Sequence, residues 1–474
     1  MSQYQGDHHY QLGLSLALLA FAQLIISLDI NIVFVALPEI GKDLAFSDQT
    51  LQWVVSAYTV FCGGFLLFGG RAADLLGQRR MFIGALWLYA ISSLIGGLAW
   101  RPEVIIAARA VQGIGGAFLF PATLSLINRL FSEGPERNRA LAAWGGAGAS
   151  GLTIGSLAGG LLTNYLGWSS VFYVNVLLAG IVIIAAFIVI PADPVRHEKR
   201  SFDFPSALSV TAASTLLVFS LVQGPEYGWG EPIIKYALLL ALVSFIMFTI
   251  IESKSRDPLM PLHLFRNKNL VASVTVTFIY MGTFGALPYF ETVLFQNVMH
   301  YNALETGLAF IIPSLAIFIG TQAGARLTNA IGTRNAIIAG CIIGIAGTLL
   351  MLPGASISAS YQSILAGLII SGLGQGIVWT AMWIAAATGI DHSEQGIASG
   401  MASTTLNIGN AIGLAVLIAL ATTVAQRNIP ENETALLATS TWYAFLYAAI
   451  GMVFALLISL ILPGRKSLII PASK

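Results

Sequence analysis

Charge is what this sequence has least of. Asp, Glu, Lys and Arg make up 9% of its 474 residues, against about 25% in a soluble globular domain. A larger core does not remove that need, because a soluble surface must be solvated whatever lies beneath it; a water-soluble fold is excluded. Cysteine is scarce too. Cys62 and Cys341 are the only two, both inside apolar runs, and they read as small buried hydrophobes rather than a disulfide or metal framework. Residues 1–10 hold no Lys or Arg, so the basic start of a cleaved signal peptide is missing and the first apolar run reads as a retained span. There is no His-Glu-x-x-His zinc helix and no Walker lysine motif, which argues against a membrane enzyme and against ATP-driven pumping. No metal and no cofactor is expected. The net charge of +1 gives no reason to invoke nucleic acid.

What the sequence does have is apolar length. Hydrophobic residues make up 56% of it, glycine occurs 48 times, and the mean hydropathy is +0.80. A spanning helix takes about 20 predominantly apolar residues. Runs of that kind fall at 12–37, 50–70, 81–100, 103–128, 139–163, 168–191, 204–223, 232–251, 269–292, 304–325, 335–353, 361–388, 395–425 and 440–463. The expectation is an all-α membrane protein of fourteen helices. With the N-terminus inside, eighteen of the 23 Lys and Arg fall in inside loops and the C-terminal tail. Outside loops hold only Lys42, Arg101, Lys235 and Arg427, and Arg109 alone lies within a span. That asymmetry places both termini in the cytoplasm.

The chain repeats. Gly70-Arg-Ala-Ala-Asp74-Leu-Leu-Gly77-Gln-Arg79-Arg80 follows the second run, and Ala325-Arg-Leu-Thr-Asn329-Ala-Ile-Gly332-Thr-Arg334-Asn335 follows the tenth. The two loops are placed equivalently if residues 1–195 form one six-helix half, 263–474 the other, and 196–262 two additional helices. Repeated halves are a usual build of secondary transporters, with the site at mid-membrane depth.

Four segments resemble the major facilitator superfamily, and within it the fourteen-helix drug:proton antiporters of the EmrB/QacA type. The loop Gly70, Asp74, Gly77, Arg79, Arg80 is similar to that family's motif A, with Leu75 where a basic residue is usual. Leu28-Asp29-Ile-Asn31 through Ala36-Leu37-Pro38 resembles its first-helix signature. Arg109-Ala-Val-Gln112-Gly113-Ile-Gly115-Gly116-Ala117 resembles motif B. Gly151, Gly155, Ser156, Gly159 and Gly160 resemble the antiporter motif C, with Ser156 in place of Pro. Gln52-Trp53 through Tyr58, and Trp168 through Asn175 and Val176, are fainter echoes.

The residues carry physical expectations of their own. A carboxylate beside a helix N-terminus and near arginines can latch helices together; the bland alternative for the loop at Asp74 is simple charge asymmetry. Asp29 lies inside a span, where ionisation is expensive. A carboxyl poised between burial, which disfavours its charge, and a nearby cation, which favours it, can load and release a proton. Arg109 stays charged and needs a partner. The depths of the two in their spans agree within about one helical turn, so they pair directly or through water. Glu291, at the end of the ninth run, is a second proton site, a cation binder, or a carboxylate in the outer headgroup layer.

Polar and aromatic side chains in otherwise apolar helices are the candidates for a substrate cavity: Asn31, Tyr58, Gln112, Tyr280, Phe284, Gln375, Trp379, Trp383, Asn407 and Asn410. Large aromatic faces suit flat, amphipathic or cationic ligands. The resemblance implies an inner-membrane exporter of such drugs, driven by proton antiport through alternating access, with membrane lipid around it and a periplasmic adaptor as a partner in some members. The other reading on this fold is export of one endogenous metabolite, such as a siderophore or peptide-like compound.

Overall fold

The computed structural model describes residues 2–46, 48–51, 53–193, 204–255, 262–358, 360–391, 394–427 and 432–462. The loop cations Arg196, Lys199, Arg200 and Arg256 and the tail cations Arg465, Lys466 and Lys474 lie outside them. Within a bilayer each backbone amide must be satisfied inside its own segment, so apolar runs become helices. The helices are α1 (Ser2–Asp43), α2 (Asp48–Leu51), α3 (Trp53–Leu76), α4 (Gln78–Gly97), α5 (Pro102–Leu130), α6 (Pro135–Leu166), α7 (Ser170–Val189), α8 (Phe204–Tyr227) and α9 (Pro232–Lys254). They continue as α10 (Lys268–Thr283), α11 (Leu287–Val293), α12 (Ala303–Ala309), α13 (Ile311–Ile331), α14 (Thr333–Met351), α15 (Tyr361–Ala387), α16 (Gln395–Arg427) and α17 (Glu433–Ser459).

Helix covers the body of every expected run. Twelve helical segments among the described residues are long and apolar enough to cross a membrane. Two of the fourteen expected runs fall outside that set. One is α6, whose seven glycines from Gly145 to Gly160 contribute length but almost no hydropathy. The other is the start of the additional pair, where the apolar stretch Pro205–Leu221 is shorter. The ninth run is not one continuous α-helix. A 3-10 turn, Phe284–Ala286, separates α10 from α11, and a π turn, Leu294–Val298, follows α11.

The chain divides into two compact units. Unit 1 comprises residues 1–132, 154–264 and 390–404; unit 2 comprises 133–153, 265–389 and 405–474. The change of unit falls inside α6, between Thr153 and Ile154, and inside α16, between Thr404 and Thr405.

Each unit is built on the same internal plan. In unit 1, Gly113 of α5 packs on α3 at Tyr58 and Cys62, and Gly115 packs on α4 at Tyr89. In unit 2, Gly372 of α15 packs on α13 at Pro313 and Ile317, and Gly374 packs on α14 at Gly344. These partners correspond residue for residue when Gly77 is aligned on Gly332. Both of those glycines have positive φ, 101° and 86°, and both set the tight reversal into the next helix, a conformation that costs glycine little. The apolar core of unit 1 beyond Asp29 joins Leu28, Ile32, Val33, Ala36 and Ile40 of α1 to Val54, Ile105, Trp168, Val171 and Phe172. The Trp168 indole N–H donates to Asp43 at 2.9 Å and closes that end.

Candidate functional site

The centre of unit 1 is a buried ion pair. Asp29 of α1 is 0% exposed and Arg109 of α5 is 1% exposed. Arg109 Nη1 donates to Asp29 Oδ2 at 2.6 Å, so the pairing is direct. Arg109 and Gln112 are three residues apart and share a helix face. Gln112 Oε1 accepts from the same guanidinium at 2.7 Å, while its Nε2 donates to Asp29 Oδ1 at 3.1 Å and to Ser93 Oγ at 2.8 Å. Asn175 of α7 donates to Asp29 Oδ1 at 2.5 Å. Arg109 Nε donates to the Val54 carbonyl at 2.9 Å, and the guanidinium lies 4.5 Å from the Tyr58 ring centroid. The ionised carboxylate thus accepts three hydrogen bonds, and the cation is held by a carboxylate, two carbonyl-type acceptors and an aromatic face. Removing one partner of such a pair typically costs about 3–5 kcal/mol.

Two of the expected cavity residues, Tyr58 and Gln112, therefore sit in the surroundings of the charge pair. The motif C glycines position it from the other side. Gly155 and Gly159 of α6 meet the Leu28 and Ile32 backbone of α1 at distances that leave no room for a side chain. Gly151 is buried, and Gly160 faces open space. The side chain of Ser156 lies outside the described residues.

The loop after α3 makes two separate attachments. Asp74 is buried, and its carboxylate accepts the backbone N–H of Gly396 at 3.1 Å and of Ile397 at 2.9 Å. It caps the start of α16, where donors without intrahelical partners and the helix dipole both favour an anion. Gly70 lies against Gly396 and Gly400 in the same place. Gly77, Arg79 and Arg80 instead meet Asp193, a residue with no role assigned from the sequence. Its carboxylate accepts the backbone N–H of Arg79 at 2.9 Å and of Arg80 at 3.1 Å, and pairs with Arg129 at 2.6 Å. Asp193→Asn is expected to cost about 1–2 kcal/mol, as for loss of a helix cap, read as a lower Tm of the purified protein.

Unit 2 assembles the expected aromatic residues. Trp379 and Trp383 of α15 pack edge to face at 5.9 Å, Tyr280 lies 6.0 Å from Trp379, and Phe284 lies 5.9 Å from Tyr280. The Tyr280 hydroxyl donates to the Gln375 carbonyl at 3.3 Å. Trp144 of α6, absent from the sequence expectation, completes the group at 6.4 Å from Trp379 and 5.7 Å from Trp383. Trp379 is half-buried, and its indole N–H has no partner among the described residues. Asn31 on α1 and Asn407 and Asn410 on α16 are half-buried. Glu291 lies on α11 and is 5% exposed.

Comparison with known proteins identifies the family. The family profile described as Major Facilitator Superfamily matches residues 19–414. The cephamycin export protein of Amycolatopsis lactamdurans is 35% identical over 410 residues, 85% of this chain and 84% of that protein. The puromycin resistance protein of Streptomyces alboniger is 33% identical over 429 residues, 90% of this chain and 84% of that protein. Among solved structures, a human organic anion transporter superposes with a TM-score of 0.67 at 18% identity, covering 93% of this chain and 99% of that one; this likeness concerns the fold alone.

Proposed function

The chain belongs to the major facilitator superfamily, a family of transporters rather than enzymes, and from that premise we propose that it exports amphipathic or cationic drugs by proton antiport through alternating access. On this reading it crosses the bacterial inner membrane fourteen times, with both termini in the cytoplasm. The observation that carries the reading is the direct, fully buried Asp29–Arg109 pair. It is a carboxyl inside a span whose charge depends on one partner, which is what a proton-driven switch requires. The relatives named for cephamycin export and puromycin resistance support drug cargo.

In the cycle, Asp29 takes a proton from the outside as substrate leaves. It returns that proton inward as the next substrate binds and Arg109 regains its partner. The energetics suffice. A membrane potential acts on one proton with about 2.3 kcal/mol per 100 mV, and a pH unit adds about 1.4 kcal/mol. A hundredfold gradient of a neutral substrate needs about 2.7 kcal/mol. No cofactor enters; the proton gradient is the energy source.

The aromatic group of unit 2 is the substrate face. Half-buried Trp379 offers part of a ring to a flat molecule, and its buried indole N–H has no partner among the described residues. Trp379→Ala is expected to weaken export of such compounds roughly two- to tenfold, the range of one aromatic contact, with Trp379→Phe retaining most of it. The test is efflux of a drug and dye panel that includes ethidium and puromycin. It uses cells lacking their own pumps, then purified protein in liposomes under an imposed pH gradient. Movement indifferent to that gradient sinks the antiport reading. A second reading, export of one endogenous compound, is favoured by the word "export" in the cephamycin relative's name. Comparing extracellular metabolites with and without the gene separates the two.

A further inference from the structure

Unit 2 repeats the packing of unit 1 but not its charges. Gly155 and Gly159 meet Leu28 and Ile32 in unit 1; Gly409 and Gly413 meet Phe278 and Gly282 in unit 2. That register puts Ile279 where Asp29 stands. The Gly113–Gly372 register puts Leu368 where Arg109 stands, and Ser371 where Gln112 stands. The hydrogen bond from Gln112 to Ser93 survives in its neutral form, as Ser371 with Thr348 at 3.1 Å. Among the described residues, unit 2 therefore has no acid or base at the positions that match the ion pair.

The carboxyl that unit 2 does bury lies about three helical turns beyond Ile279. Glu291 is 5% exposed, no hydrogen bond or ion pair reaches its carboxyl among the described residues, and no neighbouring charge acts on it. The titratable groups around it provide no counter-charge. Tyr361 on α15 is near enough to feel the carboxyl, but its hydroxyl donates to the Ala309 carbonyl at 2.7 Å. Tyr301 stands beside Tyr361. On α17, Tyr443 and Tyr447 stack on each other, and Glu433 lies in the first turn. Glu305 is held in the capping box of α12 with Asn302. An ionised carboxylate in such a place is costly unless a cation or donor meets it.

The backbone around it points the same way. Glu291 sits in a seven-residue helix between a 3-10 turn and a π turn, with Pro288 at its start. Such interruptions recur at functional hinges, and discontinuous helices line ion sites in transporters.

We propose that Glu291 is a second proton site, independent of the Asp29–Arg109 pair, so that each cycle exchanges two protons for one substrate. The inference rests on the antiport reading above. In the proton-loaded state, in which Asp29 is parted from Arg109, one proton rides on Asp29 and one on Glu291; both leave to water when substrate binds, the ion pair described above re-forms and the interrupted helix opens to solvent.

The test counts protons released on binding. Purified full-length protein in weakly buffered detergent with a pH-indicator dye is titrated with ethidium, an aromatic cation whose charge is fixed. Wild type is expected to release about two protons per ethidium bound, and Glu291→Gln and Asp29→Asn about one each. Glu291→Asp, which keeps the titrating group, should stay near two. A wild-type count of about one, or a Glu291→Gln count equal to wild type, overturns the second site and leaves antiport standing. The wild-type count decides the matter even if Glu291→Gln fails to fold. Ethidium bound with no proton released by wild type overturns the antiport reading and this inference together.

Discussion

Asp29→Asn is expected to abolish the pH-driven component of export, a loss of about tenfold or more, because it leaves a buried Arg109 without its counter-charge at about 3–5 kcal/mol. The isosteric amide does not rescue the site. Arg109 donates to one carboxylate oxygen, and Gln112 and Asn175 donate to the other. Asn has a single oxygen, so whichever way its side chain turns, an N–H faces an N–H. Substrate exchange with no pH gradient separates coupling from binding. A coupling defect removes the response to pH while exchange persists, whereas a collapsed site removes both. Full pH-driven export by Asp29→Asn would move the coupling elsewhere in the protein.

Gly155→Val is expected to be nearly as damaging, although the residue carries no chemistry. A Cβ at this position would run into the Leu28 carbonyl, and backbone cannot step aside as a side chain can. Overpacking of this kind typically costs about 1–3 kcal/mol, and here it also displaces the turn of α1 that carries Asp29. Both Tm and pH-driven export should fall. Gly160→Ala, five residues on and facing open space, should leave both unchanged. A tolerated Gly155→Val would show that α1 and α6 need not approach this closely.

The legibility of the sequence varied with the strength of each physical signal. Apolar runs mark the helices because the bilayer leaves the backbone few alternatives. The signal weakens at α6, where glycine supplies packing instead of hydropathy. Arg109 was conspicuous as the one cation inside a span, and its depth pointed to Asp29. Asn175 and Ser93, which complete the same network, are uncharged, and such residues are common in membrane helices for packing alone. Trp144 was equally quiet, since nothing local separates an indole that joins Trp379 and Trp383 from one that faces lipid. Asp193 lies in a loop, and only the folded chain shows that it receives two amides and Arg129. The interruption at Glu291 had a visible cause in Gly285 and Pro288, but the π turn after it depends on tertiary packing.

The division of α6 and α16 between the two units has a consequence for how such a chain can be made. Unit 1 takes residues 390–404 from the far part of the sequence, and unit 2 takes 133–153 from the near part. A ribosome that has finished the first half has therefore not yet supplied all of unit 1, and it has already released a segment that belongs to unit 2. No single cut between the halves yields a fragment holding one complete unit. Unit 1 is complete only once residues 390–404 have been made, and the two displaced segments include the starts of α6 and α16, the helices whose glycines recur at matching places in the repeat.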